Sequence, residues 1–309
     1  MSGPEDDLPV YSSGEEALIS VLIPNKDHGE DLKRCVESLL YVNTWKNLEI
    51  LILENNSVEE ETFRLYERLE AQDERIRVLR WDKAFNYSAI NNFGAASARG
   101  EYLLLLNNDT QILKADSIAR MQRLAREPET GAVGALLLYP DGRVQHGGII
   151  LGYGGIAGHA WEGVFPEDIP DPFPRVVFTH THNVSAVTGA CMMLRSSVWQ
   201  SAGGMDEELE VTFNDVDLCM RLRKEGLKIL MCPDACLIHD ESASRGSEDT
   251  PQKVARFHNE IRVFVHRWET ELEQGDPFYN PNLTLIMENW TCRDERREAR
   301  KPYLKYLHL

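Results

Sequence analysis

Apolar residues in the first third of the chain follow two rhythms. ALISVLIP (17–24), LEILILE (48–54), IRVLRW (76–81) and EYLLLL (101–106) are short, dense runs of strand length. Between them, EDLKRCVESLL (30–40) sets Leu32, Val36, Leu39 and Leu40 at helical spacing. EEETFRLYERLEAQ (59–72) reads as a charged amphipathic helix and SAINNFGAASA (88–98) as a further helix. Strands alternating with helices at this interval predict βαβ units and a mostly parallel sheet. A strand covered on both faces needs apolar residues at every position, so the run of leucines at 103–106 predicts a central strand. Its carboxyl end lies where ligands bind in open α/β sheets, which puts Asn107, Asn108 and Asp109 at the mouth of a site.

Beyond residue 110 the rhythm changes. A helix over 115–126 leads into GAVGALLLYPDGRVQHGGIIL (131–151), where Asp141-Gly142 predicts a hairpin turn. The Gly-rich stretch 152–175 reads as a long mobile loop, and AVTGACMML (186–194) as another strand. FNDVDLCMRLRKEG (213–226) predicts a helix ending at Gly226, LKILMCPDACLIHD (227–240) short strands, and residues 250–272 a long helix. The tail RDERREARKPYLKYLHL (293–309) is basic and amphipathic.

With 309 residues, 42% hydrophobic and 27% charged, the chain has material for one large globular domain or two ordinary ones. The formal net charge of -17 argues against a general nucleic-acid binder, which needs a basic surface, but leaves room for a small anionic ligand in a local pocket. The beginning, MSGPEDDLPVYSSGEEAL, is acidic where a signal peptide would be basic and then apolar. Six scattered cysteines, mostly inside apolar patterns, fit reduced thiols of a cytoplasmic protein. Cys232 and Cys236 lack a second ligand pair at zinc-site spacing.

Four motifs can carry chemistry. In NNDT (107–110), Asp109 can hold a hard divalent cation through oxygen, or Asp109 or Thr110 can merely cap the next helix. ENNS (54–57) can read a nucleobase edge or form an Asx turn. In FNDVDLCMRLRKEG, Asp215 and Asp217 stand two apart on a helix start and so point in different directions. One can serve as a general base in a cleft while the other serves the helix end. His239 follows a short apolar strand, as a metal ligand or as a packing residue.

VLIPNKD (21–27), ILILENNS (50–57), FNYSAINNFGAASARGEYLLLLNND (85–109), TGACMMLR (188–195), GGMDEEL (203–209) and NDVDLCMRLR followed by CLIH together resemble the family 2 glycosyltransferases. The likeness spans roughly 18–272 and has the flavour of bacterial surface-polysaccharide enzymes, rhamnosyltransferase-like members included. It implies an α/β GT-A fold: a Rossmann-like, mostly parallel central sheet flanked by helices, with a smaller acceptor-side region. The domain reading is a flexible leader over 1–16 and a transferase domain over 17–272, divided into a nucleotide-binding half (17–110) and an acceptor and catalytic half (111–272). A C-terminal extension over 273–309 follows.

Carried over position by position, the resemblance implies a nucleotide site of Pro24, Asn25, Lys26, Asn55, Asn91, Asn107, Asn108 and Asp109. It implies a metal site at Asp109 and His239, and Asp215 as catalytic base. Thr188, Gly189 and Asn214 stand on the acceptor side, and the Gly-rich loop adds His159 and Trp161, where an aromatic beside a His in a mobile stretch can fold over the donor or stack on an acceptor sugar. The metal motif has one acid where relatives have two, Asn55 stands where an aspartate is common, and Asn214 where glutamate is usual. The implied reaction moves a hexosyl or deoxyhexosyl group, with inversion, from a UDP- or dTDP-sugar to a hydroxyl of a glycan or lipid-linked glycan. Mg2+ or Mn2+ assists the leaving diphosphate. The rival readings are a non-catalytic carbohydrate-binding scaffold and a sugar nucleotidyltransferase, the latter without its usual early Gly-rich basic loop. The basic tail suits either peripheral docking on an anionic membrane or an ordinary packed or dimerising helix.

Overall fold

The computed structural model describes residues 16–168, 177–241, 250–286, 290–294 and 303. The expected leader, most of the basic tail and the end of the Gly-rich stretch lie outside these residues.

The alternation read from the sequence builds one half of the sheet. Strands β1 (Ile19–Asn25), β2 (Leu48–Glu54), β3 (Ile76–Arg80) and β4 (Tyr102–Leu106) lie in the order β3-β2-β1-β4, all parallel. Helices α1 (Gly29–Glu37), α2 (Glu60–Gln72) and α3 (Tyr87–Ser97) make the crossovers. Successive side chains of a strand point to opposite faces, so the leucine run serves two cores. Leu103 and Leu105 join Leu22, Leu51 and Leu53 against Ile90 of α3, whereas Leu104 and Leu106 join Val21, Ile50 and Ile52 against Leu32, Val36 and Leu65 of α1 and α2. That double burial is why the strand carries no polar position until Asn107.

The other half is mixed. β5 (Thr110–Ile112), α4 (Ser117–Ala125), β6 (Thr130–Leu138), β7 (Val144–His146), β8 (Ile149–Leu151), β9 (Ala157–His159), β10 (His182–Asn183) and β11 (Cys191–Arg195) follow in turn. After them come α5 (Ser196–Ala202), α6 (Asn214–Lys224), β12 (Lys228–His239) and α7 (Pro251–Gln274). β11 runs antiparallel between β4 and β6, and β12 runs parallel to β6. The predicted hairpin at Asp141-Gly142 joins β6 to β7, with Gly142 at φ 91°.

Three expectations need correction. The stretch 186–194 is a strand only from Cys191; Thr188, Gly189 and Ala190 are a non-strand strap on the cavity wall. The short strands expected over 227–240 are one twelve-residue strand, shifted in register between Cys232 and Cys236, where Pro233 cannot donate to the ladder. The supposed loop from 152 is ordered at its start as a β8–β9 hairpin. Its turn is made by Gly152, Gly154 and Gly155 at φ 82°, 63° and 136°, values that glycine adopts without steric cost. Trp161 closes it by stacking on Trp290, centroids 3.7 Å apart.

Candidate active site

A cavity of about 340 Å³ opens at the carboxyl ends of β1, β2 and β4. Its walls include Pro24, Asn25 and Lys26 from β1 and the turn after it, Asn55 after β2, and Asn107 and Asn108 after β4. Across from them stand Thr188, Gly189, Asn214 and Asp215. The sheet thus gathers ten of the residues expected from sequence around one space. Three cationic side chains, Lys26, Lys253 and Arg256, line the same space in a chain of net charge -17. The two on α7 carried no local sequence signal; only the packing of α7 across the sheet end brings them there.

The polar floor is tied down by a chain of side-chain hydrogen bonds. Asn108 Nδ2 donates to Asn25 Oδ1 at 2.6 Å, Asn25 Nδ2 to Tyr66 Oη at 2.7 Å, and Tyr66 Oη to Glu54 Oε2 at 2.5 Å. Burial, and then the Glu54 hydrogen bond, push the Tyr66 phenol up, so it stays a donor. Asn108 is therefore part of the floor. Asn55 donates to the carbonyls of Trp81 and Lys83 at 3.1 and 2.9 Å, which fixes the loop carrying the exposed ring of Phe85 into the cavity wall. Asn91 does not reach the wall: it is fully buried and its Nδ2 turns back to the Tyr87 carbonyl at 2.8 Å.

Asp215 sits in the first turn of α6, whose start is set by Phe213 in the left-handed region, φ 62°, its ring stacked on Phe264 at 5.0 Å. Oδ2 of Asp215 accepts the Gly189 N–H at 2.9 Å, and Oδ1 accepts the Val216 N–H at 2.8 Å. A carboxylate has about four acceptor sites, so both oxygens keep capacity for a hydroxyl proton. Gly189 is held on its other side by Tyr87, whose Oη donates to its carbonyl at 2.8 Å. A β-carbon at 189 would meet that oxygen at 3.1 Å. Asp217 points the opposite way. Fully buried, it accepts from Arg221 Nε, Arg267 Nη1 and Trp268 Nε1 at 2.8, 2.8 and 2.9 Å, and so locks α6 to α7.

Behind Asn107 the chain turns into β5, which pairs antiparallel with the end of β12, Thr110 opposite His239. This ladder brings together residues 130 positions apart in sequence: His239 Nε2 stands 3.3 Å from Asp109 Oδ1, both side chains buried. A second cavity, about 150 Å³, lies on the far side of Asp215 and is lined by His239, His159, Gln145 and Glu241. Asp215 and Thr188 are common to both cavities. Trp161 lines neither, being committed to its stack on Trp290. Gln145 and His146, on the three-residue β7, were not singled out by sequence. His146 is buried, and burial first, then His159 and His239, hold its pKa well below 6.5, so the neutral ring can accept the Thr188 N–H at 3.4 Å.

The sequence profile described as Glycosyl transferase family 2 matches residues 20–201, and that of Glycosyl transferase family group 2 matches 171–274. The chain belongs to glycosyl transferase family 2. It is 43% identical over 280 residues to the uncharacterized protein y4gI of Sinorhizobium fredii, covering 90% of this chain and 30% of that protein. It is 40% identical over 267 residues to the O-antigen biosynthesis protein RfbC of Myxococcus xanthus, covering 86% and 20%. An N-acetylglucosaminyl-diphospho-decaprenol L-rhamnosyltransferase of Mycobacterium tuberculosis is 27% identical over 176 residues, covering 53% of this chain and 55% of that one. The chain thus spans less than a third of the first two relatives.

Two solved structures share the architecture. GalNAc-T7 with UDP, GalNAc and Mn2+ superposes with a TM-score of 0.65 at 16% identity, over 83% of this chain and 50% of that one. The mannosyltransferase PcManGT from Pyrobaculum calidifontis, in complex with GDP-Man and Mn2+, gives 0.59 at 13%, over 82% and 69%. The family 2 fold here is GT-A, as the sequence resemblance implied. Among the described residues no helix is long and apolar enough to cross a membrane.

Proposed function

We propose that this family 2 chain transfers a hexosyl or deoxyhexosyl group from a UDP- or dTDP-sugar to a glycan or lipid-linked glycan hydroxyl, with inversion. The observation that carries the reading is the position of Asp215 on the wall shared by the two cavities. The larger, with Lys26, Lys253 and Arg256, suits the nucleoside diphosphate; the smaller suits the acceptor, apart from its His239 edge, where a cation on His239 and the buried Asp109, which lines neither cavity, would meet the diphosphate. An acceptor hydroxyl entering from the smaller side meets Asp215 before it meets the donor, and attack then proceeds from the face away from the diphosphate. Asp215 takes the hydroxyl proton as the new bond forms, an effect typically worth about 100- to 10,000-fold. Lys253 and Arg256 offset charge gathering on the departing diphosphate. In this reading residues 17–110 form the nucleotide half and 111–272 the acceptor half, with α7 adding its cations to the nucleotide side.

Asp109 and His239 fit a divalent cation. One carboxylate oxygen and one imidazole nitrogen face each other at 3.3 Å, close to the roughly 3 Å that separates adjacent ligands when each metal bond is about 2.1 Å. A divalent cation can be shared by two such ligand atoms at that distance. Mg2+ and Mn2+ commonly take one or two protein ligands and complete their shell with substrate phosphates and water. When bound, the ion would act as a Lewis acid toward the diphosphate oxygens. The relatives named for O-antigen and decaprenol-linked rhamnose chemistry favour a cell-envelope polysaccharide as acceptor.

The test is a panel of UDP-, dTDP- and GDP-sugars with Mg2+ or Mn2+, following release of free nucleoside diphosphate. Turnover of a UDP- or dTDP-sugar is expected. Turnover of GDP-sugars alone would overturn the donor assignment, and no turnover with any donor would overturn the transferase reading.

A further inference from the structure

The smaller cavity contains a chain of side-chain hydrogen bonds whose polarity can be read from one end to the other. Glu241 Oε2 lies 3.0 Å from Gln145 Nε2, and Gln145 Oε1 lies 3.2 Å from His239 Nδ1. An ionised carboxylate only accepts, so the Gln145 amide must present its NH2 to Glu241 and its carbonyl oxygen to His239. A carbonyl oxygen also only accepts, so Nδ1 of His239 must carry the proton. Nε2 is then the nitrogen that faces Asp109 Oδ1 at 3.3 Å, with Asn107 Nδ2 a donor within 3.3 Å of it. Gln145 and His239 are both 2% exposed, so these bonds are largely shielded from water. The β6–β7 hairpin sets the position: Leu137 pairs with His146, and β12 runs beside β6 to bring His239 under Gln145.

We propose that Gln145, held by Glu241, is a positioning residue that fixes His239 as the Nδ1–H tautomer and so prepares its Nε2 to bind the divalent cation with Asp109. The proposal rests on the metal assignment above, but its first half does not require metal. Neighbours that hydrogen-bond a ligating histidine set its tautomer and ring orientation, and their loss typically costs about 10- to 100-fold in metal affinity. The arrangement supplies some of what the second acid of the metal motif would have given: with Asn108 bound into the cavity floor, ligand order replaces ligand number.

Two readouts test it on the full chain. In metal-free protein, long-range proton–nitrogen correlation spectra of the His239 ring should show the Nδ1–H tautomer; a ring protonated at Nε2, alone or together with Nδ1, overturns the proposal. Mn2+ titrated in the presence of saturating UDP and followed by paramagnetic resonance should bind Gln145→Leu about 10- to 100-fold more weakly than wild type. Gln145→Glu keeps an acceptor for Nδ1–H but sets a carboxylate against Glu241, so it is combined with Glu241→Gln, and that pair should retain more affinity than the leucine variant. UDP affinity in EDTA and the thermal midpoint of each variant report whether the fold is intact. With both unchanged, Mn2+ affinity within twofold of wild type in Gln145→Leu overturns the positioning role. If Gln145→Leu is unfolded, the paired Gln145→Glu and Glu241→Gln variant and the wild-type tautomer decide. Wild-type protein that binds no Mn2+, or an unaffected Asp109→Ala, overturns the metal assignment itself, and the tautomer result separates that failure from this one.

Discussion

At the scale of single residues, packing divides two aspartates that sequence presents as near equals. Asp215 and Asp217 stand two apart on α6, yet one faces the shared cavity wall and the other is sealed among Arg221, Arg267 and Trp268. Their opposite directions follow from helix geometry and were legible; which one met the cavity was legible only through the family resemblance. Gln145 gave no signal because its role depends on a β-ladder partner remote in sequence, and a glutamine in a three-residue strand looks like any other. Gly189→Ala should press its new β-carbon on Tyr87 and shift the N–H that Asp215 accepts. The expected outcome is a large fall in turnover with UDP affinity kept, measured by nucleoside diphosphate release and calorimetry; equal losses in both would show that the strap serves the donor. Asp109→Ala should abolish the Mn2+-dependent part of UDP binding and leave the metal-independent part.

Among the elements, the parallel half was legible because doubly covered strands and amphipathic helices differ in period. The mixed half was less so: periodicity says where a strand is, not what it pairs with. β12 crosses a proline and a register shift that break the pattern into apparent pieces. α7 was visible as a helix, but not as a wall of the site. It reaches the loop before α6 through Glu260, which accepts the Val211 and Thr212 N–H groups at 3.0 and 3.1 Å, and through Arg267 on Asp206 at 2.5 Å. The same helix delivers Lys253 and Arg256 to the cavity. Asp217→Ala removes the shared anion and leaves the buried Trp268 N–H and two partly exposed guanidiniums short of an acceptor, so a loss of about 1–3 kcal/mol is expected in denaturant unfolding. Arg256→Ala should leave stability nearly intact and weaken UDP about tenfold, more at low salt than at high.

Across the whole molecule, the two ends of the sheet do different work. At the amino ends of β1 and β2, buried Glu49 accepts from Ser20 Oγ and the Arg99 N–H, each at 2.5 Å, and from Arg99 Nε at 2.7 Å. Burial alone would raise its pKa, but those hydrogen bonds and the guanidinium outweigh it and hold the group below 4.5. A depressed carboxylate stabilises the fold above its unfolded pKa and loses that contribution as pH falls through the native value. Glu49→Gln should therefore cost stability at pH 7, about 1–3 kcal/mol, with the gap to wild type closing as the medium is acidified below about 4.5. At the carboxyl ends lie the two cavities and the carboxylate between them. The measurement that bears most directly on that claim is Asp215→Asn with the nucleotide sugar that the donor panel identifies, comparing donor affinity with the rate of nucleoside diphosphate release in the presence of acceptor. The arrangement predicts affinity within a few-fold of wild type and a rate lower by at least about 100-fold; a variant that turns over at the wild-type rate would contradict it.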